Sequence, residues 1–408
     1  MSLSIPIHHT RKRRAPLLLA PLTILVLALA ASVYLHLRYP TASPVTSATY
    51  LVQNAGHAHA KLDKQVVGFL PYWRLDDSRY MRSDLLSEVI YFSLSVDQNG
   101  QLVKTVNGQQ EPGWRWWSSA AVRNQIAKTQ IAGDRFLLSV AMQNQKQVES
   151  FLSLGGAQQT LIDNLLDQVK SNRLDGLNLD VELDGKTTDQ DRAAFTSFAT
   201  KLAAAFHQQA PGAELSIDLP PLAARTPGLY DVPALTPLFD RIIVMSYDYY
   251  ASTSDVAGPV APMSGFADHQ YFFDVDTTYA DYIKAVPKDK LVMGVPYYGY
   301  DWPVKDASKP LAPTTGEADI LSFSRMKTDT DLKPQDCHWD IVAQETWCSY
   351  TDSKTNTQRE AWFEDQRSVS AKYDFAKTQG LGGVAIWTLG YDGAYPELWG
   401  LIKDKFTS

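Results

Sequence analysis

Eight short apolar runs, separated by stretches with helical spacing, constrain this chain more than any other feature. They are VVGFLPYW (66–73), EVIYFSLSV (88–96), RFLLSVAM (135–142), LDGLNLDVE (174–182), AELSIDLP (213–220), RIIVMSYDYY (241–250), KLVMGVPYYGY (290–300) and GGVAIWTLG (382–390). Most are rich in Val, Ile and Leu without strict alternation, as expected of strands covered on both faces in a parallel sheet. Between them, Thr188 and Asp191 form a capping-box pattern ahead of an apolar stripe at Phe195, Phe198, Ala199, Leu202 and Phe206. A second helix is predicted over 366–379, with Gly380 as its stop. Strands and helices alternating in this way predict an α/β fold, a (β/α)8 TIM barrel. A doubly wound open sheet is the alternative, but no GxGxxG fingerprint follows the first run.

The long interval between the seventh and eighth runs, about 301–362, carries Trp302, Trp339, Trp347, Trp362 and both cysteines. A structureless loop of that length is unusual, so a small, strand-rich α+β insertion is expected. Cys337 and Cys348 suit a local disulfide in an oxidising compartment, with two free thiols as the alternative. With the adjacent His338 they are too few ligands for structural zinc.

The N-terminus bears on location. Arg11, Lys12, Arg13 and Arg14 precede an apolar stretch from Ala15 to Leu35. A cytoplasmic basic segment (1–14), a signal anchor (15–37), a flexible linker (38–64) and an external barrel (65–408) are expected. A cleaved signal peptide, with Ala28-Leu29-Ala30 as the cleavage site, is the alternative, and both readings export the domain. His57 and His59 read as solvated linker residues. The net charge of −7 argues against nucleic acid as partner. Aromatic residues make up 11% of the chain, which suits either a belt and core or a surface that stacks on sugar rings.

The fourth run is unusual for a buried strand. Its alternation sends Leu177, Leu179 and Val181 one way and Asn178, Asp180 and Glu182 the other. Desolvating two carboxylates on one face costs several kcal/mol unless they are paired, hydrogen-bonded or protonated, so this face points to an active site. In a barrel, chemistry sits at the carboxyl ends of the strands. Those ends offer Tyr72 and Trp73, Asp180 and Glu182, Tyr247 and Asp248, Tyr297, Tyr298 and Tyr300, and Trp387. No His lies there, which leaves a Ser-His-Asp triad or a His-rich metal site without support, and no cofactor is expected. Trp114, Trp116 and Trp117 in GWRWW, and Trp302 and Trp347, either line an extended cleft or pack on the barrel.

DGLNLDVE resembles the DGxDxDxE signature of glycoside hydrolase family 18, the chitinase-like family, at Asp175, Gly176, Asp180 and Glu182. MSYD (245–248), GGVAIW ending at Trp387 and FEDQRSVSAKYDFAKTQGLGG are similar to later segments of the same family. Asn178 departs from the pattern, which has Asp there. Some bacterial members, including those similar to spore-cortex and cell-wall glucosaminidases, carry Asn at this place. LLSVAMQN on the third strand is a second departure.

The resemblance implies hydrolysis of β-1,4-linked N-acetylglucosamine glycans (chitin, chito-oligosaccharides or peptidoglycan) by a retaining, substrate-assisted route. Glu182 would be the general acid, Asp180 would orient the acetamido N–H, and Tyr247 would hold the acetamido oxygen. Asn178 would bond Asp180, Asp248 would bind sugar groups, and Trp387 would floor the pocket. Met245, a core residue by type, Tyr72, Trp73 and Tyr298 complete the substrate-binding candidates, while Asp175 is expected to be structural. A monomer, tethered to the membrane by its N-terminal helix, is expected. Alternatives are a non-catalytic sugar-binding protein on the same barrel and an endo-β-N-acetylglucosaminidase acting on N-glycans.

Overall fold

The computed structural model describes residues 61–408 apart from Asp184 and Pro227. Each of the eight runs contributes a strand. β1 (Gln65–Pro71), β2 (Glu88–Ser95), β3 (Arg135–Met142), β4 (Gly176–Val181), β5 (Glu214–Leu219), β6 (Arg241–Val244) and β7 (Leu291–Pro296) come first. β8 (Tyr298–Pro303), β9 (Asp319–Ser322), β10 (Cys337–Asp340), β11 (Glu345–Thr351) and β12 (Gln358–Phe363) then build a separate sheet, and β13 (Gly383–Trp387) returns to the first. Around the closed barrel the order is β1-β13-β7-β6-β5-β4-β3-β2, with every pairing parallel.

Three runs end earlier than their apolar composition suggests. β1 gives way at Tyr72 to a 3-10 segment, Tyr72–Tyr80. β6 stops at Val244, leaving Met245 to Asp248 beyond the strand. The seventh run divides, so that Tyr298 and Tyr300 belong to the inserted sheet rather than to the end of β7.

The helices form where their caps stand. Thr188 and Asp191 exchange both bonds of a capping box at the start of Asp189–Gln209, and the apolar stripe of that helix is buried. Helix Gln366–Gln379 ends on Gly380 at φ 74°, the left-handed conformation that favours glycine. The linker boundary moves: Asp63 N donates to Phe406 O at 2.8 Å and Lys64 Nζ to Leu381 O at 2.7 Å, so these residues already belong to the folded unit. The expected anchor at 15–37, and His57 and His59, lie outside the described residues. Among the described residues no helix is long and apolar enough to cross a membrane.

Inside the barrel, Val67, Phe69, Ile90, Leu137, Ile243, Val292 and Ala385 form an apolar layer. Its amino-terminal end is closed by ions. Arg241 Nε lies 2.9 Å from Glu214 Oε1, and Arg135 pairs with Glu214 and stands 3.8 Å from Glu88. Gly176 begins β4 there, and a Cβ on it would fall 2.2 Å from Glu214 O. Asp175 faces the same end, where its Oδ2 accepts from Phe136 N and Gln130 Nε2, both at 2.9 Å.

The insertion is a five-stranded antiparallel sheet in the order β9-β8-β12-β11-β10, with helix Phe323–Thr328 beside it. Trp302 and Trp362 are fully buried in its core, and Trp347 stacks on Trp362 at 6.0 Å, so Trp302 and Trp347 pack rather than line a cleft. Cys337 and Cys348 are cross-strand neighbours joined by a disulfide. Trp117 is likewise core: its ring lies 5.2 Å from Tyr91, and its Nε1 donates to Gln168.

A buried ionic cluster ties the sheet to the barrel. Lys372, fully buried on helix Gln366–Gln379, lies 2.5 Å from Glu364 and 3.8 Å from Glu345. The Glu345 carboxylate also accepts from Val260 N (2.9 Å) and Ala261 N (2.6 Å), which holds the loop that follows Asp248. Replacing Lys372 by Met strands two desolvated carboxylates, so Lys372→Met is expected to cost about 3–5 kcal/mol in urea unfolding. A loss below about 1 kcal/mol would show that the ammonium does not hold them.

Candidate active site

The polar face of β4 points into the barrel. Asn178 is fully buried and Asp180 is 1% exposed, whereas Leu177, Leu179 and Val181 join the outer core. Glu182 comes one residue past the strand, where its N–H still donates to Met142 O at 2.9 Å. The acid therefore stands at the mouth, half-buried, with its Oε1 accepting from Gln143 Nε2 at 2.7 Å.

Around it lies a pocket of about 270 Å³ lined by Phe69, Trp73, Phe92, Gln143, Asp180, Glu182, Asp218, Met245, Tyr247, Asp248 and Trp387. A second lobe of about 350 Å³ shares Glu182, Met245, Tyr247 and Asp248 and continues over Pro220, Pro221, Leu222, Tyr249 and Phe272. The first lobe presents carboxylates and rings, and the second is walled mainly by apolar groups. Glu182 and Tyr247 stand at the seam.

The structure thus brings Asp180, Glu182, Tyr247, Asp248, Met245, Trp73 and Trp387 together on one cavity. Trp387 packs edge-on to Phe92 (4.7 Å) and Phe69 (5.5 Å) and nearly parallel to Tyr247 (6.4 Å, 17°). Trp73 is 48% exposed at the rim and lies perpendicular to Phe92, with centroids 6.1 Å apart. Tyr72 supports Trp73 edge-on at 4.8 Å and does not line the pocket.

Two further expectations are corrected. Tyr298 is 3% exposed and does not face the pocket; its hydroxyl donates to Asp248 Oδ1 at 2.5 Å, and Tyr300 donates to the same oxygen at 3.0 Å. The physical reason is the division of the seventh run, which places both phenols on β8 behind Asp248. Asn178 does not bond Asp180. Its Nδ2 donates to Ser216 Oγ (3.1 Å) and to Asp218 Oδ1 (2.8 Å). The fifth run, whose inward positions are Glu214, Ser216 and Asp218, carries the signal that would have found Asp218. Gln143 follows β3 without any periodic mark.

Two backbone features set the phenol and its neighbour. Asp248 adopts φ 57°, the left-handed region that few non-glycine residues occupy, and so turns its carboxylate toward the inserted sheet. Gly294 on β7 clears space for Tyr247: a Cβ there would lie 2.5 Å from Val244 O and 2.9 Å from the Tyr247 ring.

Electrostatically the cavity is one-signed. Burial first, then the neighbouring Glu182 and Asp218, holds the Asp180 carboxyl well above the usual carboxylate range. Burial likewise raises Asp218, against the pull of the Asn178 amide and with the push of Glu182. Tyr247 is raised by burial and by all four carboxylates around it. Asp248 is reached by water yet walled by protein, which raises it, while the two tyrosine hydroxyls pull it back. Among the described residues no group of three or more His, Cys, Asp or Glu side chains could hold a metal ion.

A closed parallel barrel carrying acids and rings at its mouth agrees with the sequence comparisons. The profile of Glycosyl hydrolases family 18 matches residues 65–392, and the chain belongs to that family. It is 26% identical over 392 residues to a putative sporulation-specific glycosylase of Bacillus subtilis, covering 93% of this chain and 85% of that protein. It is 28% identical over 224 residues to the cortical fragment-lytic enzyme of the same species, covering 53% of this chain and 47% of that one. The chain therefore spans about half the length of some curated relatives that it matches. A group IV chitinase from Ostrinia furnacalis shares the fold, with a TM-score of 0.70 at 19% identity over 84% of this chain and 99% of that one.

Because the folded state raises Asp180 above its unfolded value, the protonated form stabilises the fold. That contribution is complete below the unfolded value of about 3.9 and is lost as pH rises through the folded one. Asp180→Asn is therefore expected to melt higher than the wild type, by a margin that widens from pH 4 to pH 8. A margin that is flat or shrinks over that range would contradict the assigned protonation.

Proposed function

We propose that the chain is a retaining glycosidase that cleaves β-1,4-linked N-acetylglucosamine glycans with the help of the substrate's own acetamido group. The observation that carries this reading is the convergence of Asp180, Glu182, Tyr247, Asp248 and Trp387 on one cavity at the carboxyl end of the barrel. Family membership supports it. The same reading places the bond to be cleaved at the seam of the two lobes, beside Glu182.

Glu182 gives its proton to the glycosidic oxygen as the bond to the anomeric carbon breaks. The acetamido carbonyl oxygen closes on that carbon from the other side, forming an oxazolinium ring, so no enzyme carboxylate attacks. Tyr247 donates its hydroxyl to the acetamido oxygen and fixes its approach. Burial keeps that phenol protonated, as a donor requires. Asp180 accepts from the acetamido N–H and offsets the positive charge that develops there. Water then adds at the anomeric carbon as the bond from that carbon to the acetamido oxygen breaks and the acetamido group is restored, the water's proton passes to Glu182, and the configuration is retained. Gln143 keeps Glu182 aimed at the seam.

Trp387 and the half-exposed Trp73 give flat apolar side chains for sugar rings. The apolar second lobe suits the departing saccharide. Working outside the cytoplasm, tethered by residues 15–37 or released after cleavage, is supported by the basic–apolar N-terminus and by the Cys337–Cys348 disulfide.

Residues 61–408 incubated with chito-oligosaccharides and with purified peptidoglycan are expected to yield shorter fragments with retained anomeric configuration, read by mass and by NMR. Glu182→Gln is expected to lower kcat by about 10²–10⁴-fold while leaving oligosaccharide binding within a few-fold. Full activity in that variant, or inverted products from the wild type, would overturn the scheme.

A further inference from the structure

Asp218 is the buried acid of this site that the scheme above leaves without a task. It is 2% exposed, it faces inward from β5, and it lines the same cavity as Asp180 and Glu182. Among the described residues no cation pairs with it; its bond is from the Asn178 amide. A carboxylate in such a place costs several kcal/mol to desolvate, and an amide would fill the same volume and bond Asn178 at no such cost. A purely structural role therefore does not explain an acid here.

The register explains it. Asn178 stands opposite Ser216 and Leu179 opposite Ile217. Continued by one residue, the same register sets the Asp180 backbone beside that of Asp218, at the usual strand spacing of about 4.8 Å. An acid at position 178, as in the family signature, would instead lie below Asp180 on its own strand, roughly 6.6 Å along. This chain has an amide at 178, and that amide points to Asp218.

We propose that Asp218 is the positioning carboxylate of the site, the acid missing from position 178 displaced sideways to the next strand, and that it shares one proton with Asp180. The proposal rests on the glycosidase reading. In the resting site the pair holds one proton and one negative charge. As the acetamido nitrogen becomes positive, the Asp180 Oδ–H bond breaks and an Asp218 Oδ–H bond forms. Asp180 is then charged where charge is needed, and the net charge of the pair is unchanged. Asn178 donates to Asp218 and to Ser216, which ties one oxygen of the receiving carboxylate to β4, the strand that carries Asp180. Burial and then Glu182 raise both groups, and Asp218 raises Asp180 further.

The test compares wild type, Asp218→Asn and the double variant Asn178→Asp/Asp218→Asn, which returns the acid to β4. With tetra-N-acetylchitotetraose, Asp218→Asn is expected to lower kcat about 10–100-fold at little change in KM, with the kcat–pH profile shifted by about one unit. The double variant is expected to recover most of kcat and the wild-type profile. Wild-type kcat and profile in Asp218→Asn would overturn the proposal. So would a loss that follows a fall in Tm and is not rescued by the double variant. Carboxyl ¹³C NMR titration reads the pair without catalysis: Asp180 and Asp218 should titrate in two linked steps, reduced to one in Asp218→Asn. Independent single steps in the wild type would overturn the shared proton. A wild type inactive on every glycan but showing linked titration would instead sink the glycosidase reading and leave the pair standing.

Discussion

Everything at the mouth of this barrel depends on the cost of placing carboxylates of one sign in a space that water barely enters. Asp180 and Asp218 are almost fully buried, and no cation stands against either among the described residues. The amino-terminal end of the same barrel solves the same problem differently: Glu88 and Glu214 lie there with Arg135 and Arg241. At one end guanidinium groups pull against the burial and the neighbouring Glu214 that raise Glu88, and at the other no cation among the described residues opposes the rise of Asp180 and Asp218. That contrast separates a structural plug from a reactive site. It also makes the mouth the place where the fold gives up stability for chemistry.

The inserted sheet is more than decoration on the barrel. Its first strand carries Tyr298 and Tyr300, which hold Asp248 from behind. Its far side carries Glu345, which fixes the loop after Asp248 through two backbone amides and meets Lys372 in the core. Asp248 is thus gripped from both directions although it belongs to no strand. Its left-handed backbone persists because the surrounding contacts over-determine it.

Much of this was legible in the sequence. The eight runs, the capping box at Thr188, the stop at Gly380 and the paired cysteines all rest on local patterns, and local patterns survive folding. The parity of β4 likewise separated Asp180 and Glu182 from the leucines beside them. The features without a local mark depend on neighbours in space. YYGY reads as one continuous apolar run, so nothing local marks the change of sheet that takes Tyr298 away from the pocket. Asn178 has two inward-facing partners on β5, Ser216 and Asp218, and only the register reveals that they stand nearer in direction than Asp180. Trp302 and Trp347 look like cleft aromatics by type, and only the course of the insertion shows them as its core.

Gly294 has a wider consequence. The phenol of Tyr247 occupies room that exists because a strand on the neighbouring segment bears a lone hydrogen where every other residue type has carbon. The ring's placement is therefore written partly in a position that never meets a ligand. A single methyl group there would press on the aromatic ring, whose plane lies nearly parallel to the indole of Trp387, so the contour of the cavity floor is set in part by a residue outside its lining.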